Sequence, residues 1–243
     1  MKKYESKWMN TMRKIGFIGA YDKTDFILYI AKILTEMGQR VILVDATLTQ
    51  KAKYIVPVIK PSKSYVTEFE GIDIAVGFET FEEIKQYLAL PEKIELNYDI
   101  ALIDLDTQEK VKSFEIETFE KNYFVTSFDM YSIKRGLESI AELSTPVNAT
   151  KVLFSKEALK EEDDYLNFLS LGSKIVWNDQ RIYMPFEVGD QTVIYNNQRV
   201  SKIKFKHLST QYKEGLLYIA EEILGHENYN ALRKTFKKIE KGV

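Results

Sequence analysis

The stretch IGFIGAYDKTDFILYIAKILTEMGQRVILVD, residues 15–45, decides the fold. Ile15-Gly16-Phe17-Ile18-Gly19 is a short, mostly apolar run of strand length. Thr24 to Met37 then carries Ile27, Ile30, Ala31 and Leu34 at helical spacing, and Gly38 is a natural helix stop. Val41-Ile42-Leu43-Val44 is a second buried run. Strand, helix and strand within about thirty residues is the size of a parallel pair joined by one crossover helix.

The same rhythm continues outward from this unit. Ile72, Ile74, Val76 and Phe78 alternate as in a strand, and Thr80-Phe81-Glu82-Glu83 is a capping-box pattern opening a helix through Leu90, ended by Pro91. Ile100-Ala101-Leu102-Ile103 and Tyr123-Phe124-Val125 read as strands, followed by a helix face of Ile133, Leu137 and Ile140. Val152-Leu153-Phe154 and Ile175-Val176-Trp177 add two more strands. Tyr212, Leu216, Ile219 and Ile223 line a late helix stopped by Gly225. Continuous apolar strands are covered on both faces and therefore run parallel. The expected fold is one doubly wound, three-layer α/β domain over 1–243, with a mostly parallel sheet and helices on both faces. Residues 1–13 form an N-terminal extension and 229–243 a basic amphipathic helix.

Composition narrows the chemistry. The chain has 243 residues, a net charge of -2, no cysteine and two histidines, His207 and His226. Disulfides, thiolate zinc sites and cysteine nucleophiles are excluded, and a histidine metal site or Ser-His-Asp triad is disfavoured. No signal-peptide core and no window of eighteen apolar residues is present, so the expected location is the cytoplasm. The mild acidity makes nucleic acid an improbable partner.

Ligands of doubly wound sheets sit at the carboxyl ends of strands, so the residues after Ile18, Val44 and Ile103 matter most. Gly19-Ala20-Tyr21-Asp22-Lys23-Thr24 joins the first strand to the first helix, where backbone N–H groups and the helix dipole can hold a phosphate. Lys23 is placed to contact phosphate oxygens and Thr24 to bind Mg²⁺. Asp45 and Asp104, at the ends of two other strands, could complete a Mg²⁺ and water-positioning set. Each also has a plainer reading. Asp22 fits a helix N-cap, Lys23 a solvated first-turn lysine, and the two aspartates ordinary loop carboxylates.

Taken together, these stretches resemble the MinD/ParA-like P-loop ATPases with a deviant Walker A motif. Gly19 to Thr24 sits where that family has Lys-Gly-Gly-Val-Gly-Lys-Thr. Val41 to Ala46 resembles its second acidic strand, and Tyr98 to Asp104 its Walker B strand. Val125-Thr126-Ser127 to Ile140 is similar to the strand and helix that follow. Met184-Pro185-Phe186 to Val200 resembles the late loop that contacts the base, which assigns Pro185 and Phe186 with Gly19, Lys23 and Thr24 to cofactor binding. The resemblance implies ATP or ADP with Mg²⁺ as cofactor and a homodimer as assembly.

The departures point away from efficient turnover. Ile18 stands where the family has the signature lysine that reaches the partner's nucleotide, and Phe17, Ala20 and Asp22 replace glycines. Asp22 puts a negative charge in a loop meant for phosphate; unit charges about 4 Å apart repel by roughly 4 kcal/mol at an effective dielectric near 20. The expected function is that of a weak nucleotide binder or pseudo-ATPase. It would act as a localisation or assembly factor through protein partners, as in the TadZ/CpaE-like pilus-assembly arm. The alternative is an active, dimerising ATPase of partition or membrane positioning, in which Asp45 and Asp104 are catalytic. At the C-terminus Tyr229, Leu232, Phe236 and Ile239 share a face amid Arg233, Lys234, Lys237, Lys238 and Lys241. This helix could lie on an anionic membrane through Leu232, Phe236 and Ile239, or pack on the sheet. Lys202-Ile203-Lys204-Phe205-Lys206 reads as a half-buried strand.

Overall fold

The computed structural model describes residues 11–58, 62–91, 94–155 and 160–242. Most of the expected N-terminal extension lies outside the described residues. The chain runs through β1 (Arg13–Ile18), α1 (Thr24–Glu36), β2 (Val41–Asp45), α2 (Ala52–Ile55), β3 (Tyr65–Phe69), β4 (Ile72–Val76), α3 (Phe81–Tyr87), β5 (Ile100–Leu105) and α4 (Gln108–Ser113). It continues through β6 (Lys121–Thr126), α5 (Met130–Glu138), β7 (Val147–Leu153), α6 (Lys160–Leu169), β8 (Ile175–Tyr183), α7 (Val188–Arg199), α8 (Thr210–Leu224) and α9 (Tyr229–Lys241). The eight strands form one sheet in the order β3-β4-β2-β5-β1-β6-β7-β8. Every neighbouring pair is parallel except β3 and β4.

Side chains alternate between two buried layers, because successive Cβ atoms leave a strand on opposite faces. Ile15, Phe17, Leu43 and Leu102 pack with Ile27, Ile30 and Leu34 of α1 and with Leu216 and Ile219 of α8. Ile18, Ile42, Val44 and Ile103 pack with Ile84 of α3, Val111 of α4, Ile133 of α5 and Leu166 of α6. The apolar strands are thus covered on both sides, as their composition requires. By the same alternation Asp45 follows Val41 and Leu43, and Asp104 follows Ile100 and Leu102. Both carboxylates therefore leave the sheet on the α1 side. They are register partners across β2 and β5.

Several local expectations change. The edge strand β3 has no counterpart in the sequence reading. It turns back through Glu70 at φ 55° and Gly71 at φ 84°, two left-handed residues as a tight hairpin demands. Helix α3 ends at Tyr87 rather than Leu90, where Ala89 takes φ 52°. The late loop is largely helical: Val188–Arg199 is α7, started by a reciprocal capping box of Glu187 and Asp190. Lys202 to Lys206 is not a strand. Ile203 and Phe205 are buried, so the alternation is real. The Lys204 carbonyl, however, accepts from Asn197 Nδ2 at 2.8 Å and lies 3.4 Å from the Tyr29 hydroxyl rather than from a neighbouring strand.

The amphipathic C-terminal helix packs inward. Leu232 and Phe236 are buried, Phe236 meets Phe205 edge to face at 5.3 Å, and Ile239 packs on the same cluster. The apolar stripe that a membrane contact needs is already covered by α9's own domain, leaving its charged face outward. Among the described residues no helix is long and apolar enough to cross a membrane.

Candidate phosphate-binding site

Strand β1 delivers the chain to Gly19, and β5 and β6 flank it. Gly19 sits at φ 133°, and a Cβ there would lie 2.2 Å from the Val125 carbonyl oxygen. Only glycine lets the loop pass this close to β6. Its N–H donates to the Leu105 carbonyl at 3.0 Å, which ties the loop to β5 as well. The loop then turns into α1, whose first residue is Thr24.

Lys23 folds back into this loop. Its ammonium lies 2.6 Å from the Gly19 carbonyl oxygen and 2.7 Å from Asp104 Oδ1, and the residue is only 2% exposed. Lys23 is thus a buried latch, not a solvated lysine. Thr24 Oγ1 donates to Asp104 Oδ2 at 3.2 Å, so one carboxylate receives both loop side chains. The structure therefore brings Gly19, Lys23, Thr24 and Asp104 together.

Asp45 is fully buried but committed elsewhere. Its Oδ1 accepts from the Thr47 N–H at 3.1 Å and the Thr47 hydroxyl at 2.6 Å, and its Oδ2 from the Ala52 N–H at 2.8 Å. It shapes the β2–α2 loop and starts α2. Neither Pro185 nor Phe186 lines the cleft over the loop; Phe186 lines a neighbouring cleft instead. The Phe186 ring packs on Phe154 and Tyr212, at 6.2 and 5.5 Å between centroids.

The cleft over the loop has a volume of about 410 Å³. Besides Gly19 to Thr24 and Asp104, it is lined by Lys51, Asp106 and Arg135, which the sequence reading did not select. Asp106 accepts from the Leu48 N–H at 3.1 Å. The signal for Asp106 and Lys51 was positional, since both follow strands at their carboxyl ends. Asp22 stands on the wall of the cleft rather than in the buried Lys23–Asp104 cluster. It is exposed, its Oδ2 pairs with Lys51 Nζ at 2.7 Å, and its Oδ1 lies 3.4 Å from the Thr24 N–H. Lys23, not Asp22, occupies the N-cap of α1, without a side-chain cap bond. Ile18 is in the core layer under α5, paired in register with Leu105 and Phe124.

No protein-family model and no curated protein matches this sequence. Solved structures do match the fold. The ParA family ATPase of Chlorobium tepidum has a TM-score of 0.55 at 15% identity, covering 85% of this chain and 97% of its own. A putative plasmid partition protein of Borrelia burgdorferi, solved with AMPPNP, has a TM-score of 0.52 at 10% identity, covering 88% and 100%. MinD in the MinC:MinD complex of Aquifex aeolicus has a TM-score of 0.53 at 14% identity, covering 88% and 96%. The fold is that of the ParA and MinD ATPases.

Among the described residues no group of three acidic or histidine side chains is arranged to hold a metal ion alone. Thr24 and Asp104, side by side in the cleft, fit a Mg²⁺ that arrives with phosphate oxygens as its other ligands. Burial pushes the Asp104 carboxyl up to about 7, against the opposing pull of Lys23 and with a smaller upward push from Asp45. A carboxyl that binds its proton more tightly folded than unfolded stabilises the fold at low pH. That contribution is complete below about 3.8, its ordinary value, and is lost as pH rises toward 7. Wild-type stability measured against Asp104→Asn by urea titration is therefore expected to fall between about pH 4 and pH 7. A rise over that interval would mean that the Lys23 ion pair outweighs desolvation.

Proposed function

We propose that this chain is a ParA/MinD-like switch with a latched phosphate loop. It binds ATP or ADP with Mg²⁺ weakly, turns it over poorly, and works as a localisation or assembly factor through protein contacts. The observation that carries this reading is the buried Lys23, held by the Gly19 carbonyl and Asp104. A phosphate must draw the ammonium out of two contacts made inside the protein, and the exchange returns little free energy. Ile18 supports the same conclusion, since an apolar core residue cannot reach a neighbouring subunit's nucleotide.

In this reading Lys23 binds phosphate after release, Thr24 and Asp104 hold Mg²⁺, and Asp45 organises the loop beside them. Bound Mg²⁺ would neutralise phosphate charge. Pro185 and Phe186 form the side of the site that receives the base. Partner binding is proposed by analogy with the Aquifex MinD, whose solved complex contains MinC. A role in pilus or polar assembly, as in the TadZ/CpaE-like arm, is the setting this suggests. The second reading, an active ATPase, is favoured by one observation: Lys23, Thr24 and Asp104 do converge in a single cleft.

Calorimetric titration with MgATP is expected to give a weak dissociation constant, about 0.1 mM. That binding should vanish in Lys23→Ala and in the better-filling Lys23→Met, with thermal melts confirming that both fold. No binding by wild type up to millimolar ligand would overturn the nucleotide part of the proposal. Steady turnover lost in Lys23→Ala would favour the active ATPase instead.

We further propose that the chain is a homodimer whose pairing does not depend on nucleotide, because it lacks the cross-subunit lysine. Light scattering is expected to give the dimer mass with and without MgATP. A mass that doubles only after ATP is added would contradict this.

A further inference from the structure

Two clefts lie side by side at the carboxyl edge of the sheet. The polar one, about 410 Å³, covers the loop from Gly19 to Thr24. The other, about 200 Å³, is walled by Phe26, Phe154, Phe186 and Tyr212. Tyr21, Asp22 and Lys51 line both. The ion pair between Asp22 and Lys51 is thus part of the boundary between the clefts.

Lys51 comes from the loop between β2 and α2 and stands at the start of α2. It has two carboxylate partners of different kinds. Asp25, on the first turn of α1, lies 2.5 Å from its ammonium and is held in turn by Gln198 Nε2, at 2.8 and 3.0 Å. Asp22 lies 2.7 Å away, and its side chain is 60% exposed. Asp25 is the inner anchor that keeps the lysine at the cleft, and Asp22 is the solvated outer contact. Exposed ion pairs are worth roughly 0–1 kcal/mol, so a more highly charged anion readily replaces such a carboxylate. Lys51 shares the polar cleft with two other cations, and only Lys51 stands on the boundary with the aromatic cleft. Lys23 is latched on Asp104, and Arg135 pairs with Glu138 at 3.1 Å on α5.

We propose that Lys51 is an anion-binding residue of the phosphate cleft and that Asp22 is its displaceable counterion. The ligand class is a di- or triphosphate, which takes the place of Asp22 on Lys51 and opens the boundary toward the aromatic cleft. The proposal rests on the nucleotide reading above and adds a second lysine to the phosphate-binding set. Asp22 is then a resident competitor, an internal carboxylate that lowers affinity without closing the site. Because Lys51 adjoins Ala52, whose N–H is held by Asp45, the exchange also reports ligand arrival to the β2–α2 loop.

The test is calorimetric titration of inorganic triphosphate and of ATP, each with Mg²⁺, into wild type, Asp22→Asn, Lys51→Met, Lys51→Arg and the double variant Asp22→Asn/Lys51→Met. Asparagine keeps an oxygen for the Thr24 N–H while losing the charge, and thermal melts confirm that each variant folds. Asp22→Asn is expected to tighten both ligands about threefold, a change of about 0.7 kcal/mol and within the worth of an exposed ion pair. Lys51→Met should weaken both, Lys51→Arg should retain binding, and the double variant should lack the gain. A gain that survives undiminished in the double variant would overturn the proposal, as would a Lys51→Met that binds like wild type. Either result, with binding still dependent on Lys23, leaves the nucleotide reading standing. Absence of binding in every protein would overturn both.

Discussion

The candidate site depends on one buried ion pair. Lys23 and Asp104 meet inside the protein at the point where β1, β5 and α1 converge. Neither charge has bulk water to fall back on, so each is held by what the fold supplies. Removing one partner of such a pair typically costs about 3–5 kcal/mol, because the other charge is left stranded. Lysine thereby becomes part of the loop's own architecture, and under the proposed function a phosphate would have to compete with a carboxylate already in place.

The pair exists because of strand periodicity. An odd step along β5 would turn Asp104 toward α5, away from the loop. Its actual position, two residues beyond Leu102, aims it at the first turn of α1. Gly19 completes the geometry by letting the chain pass against the Val125 carbonyl. Lys23 then reaches back over one short loop to the Gly19 carbonyl. Fold and site follow from the same alternation that fills the two apolar layers.

Much of this was legible in the sequence, for physical reasons. Long apolar runs at strand length, separated by helical periodicity, left little choice but a parallel sheet covered on both faces. The positions of Asp45 and Asp104 after such runs marked the carboxyl edge of the sheet, where the cleft over the loop lies. Side-chain direction was harder to read. Asp22 suggested an uncompensated charge in the loop, but Lys51, 29 residues away in sequence, pairs with it at the wall of the cleft. Asp45 and Asp104 looked equivalent by spacing, yet local donors from Thr47 and Ala52 occupy the first and the buried lysine occupies the second. The Lys202 to Lys206 segment shows the same limit: alternation correctly marked Ile203 and Phe205 as buried, but burial does not require a neighbouring strand. The amphipathic stripe of α9 was equally clear, and only the presence of Phe205 beside Phe236 decides that protein rather than lipid covers it.

The latch itself can be observed directly. In nitrogen-15 NMR the ammonium protons of lysine are normally lost to rapid exchange with water, whereas a buried, paired ammonium is protected. Lys23 should give such a signal in the nucleotide-free protein, distinguished by Lys23→Arg from the signal of Lys151, the other buried lysine among the described residues. The signal should shift or broaden in Asp104→Asn. A protected Lys23 resonance that responds to Asp104 is the result this account predicts. A Lys23 ammonium exchanging as freely as the surface lysines would contradict it.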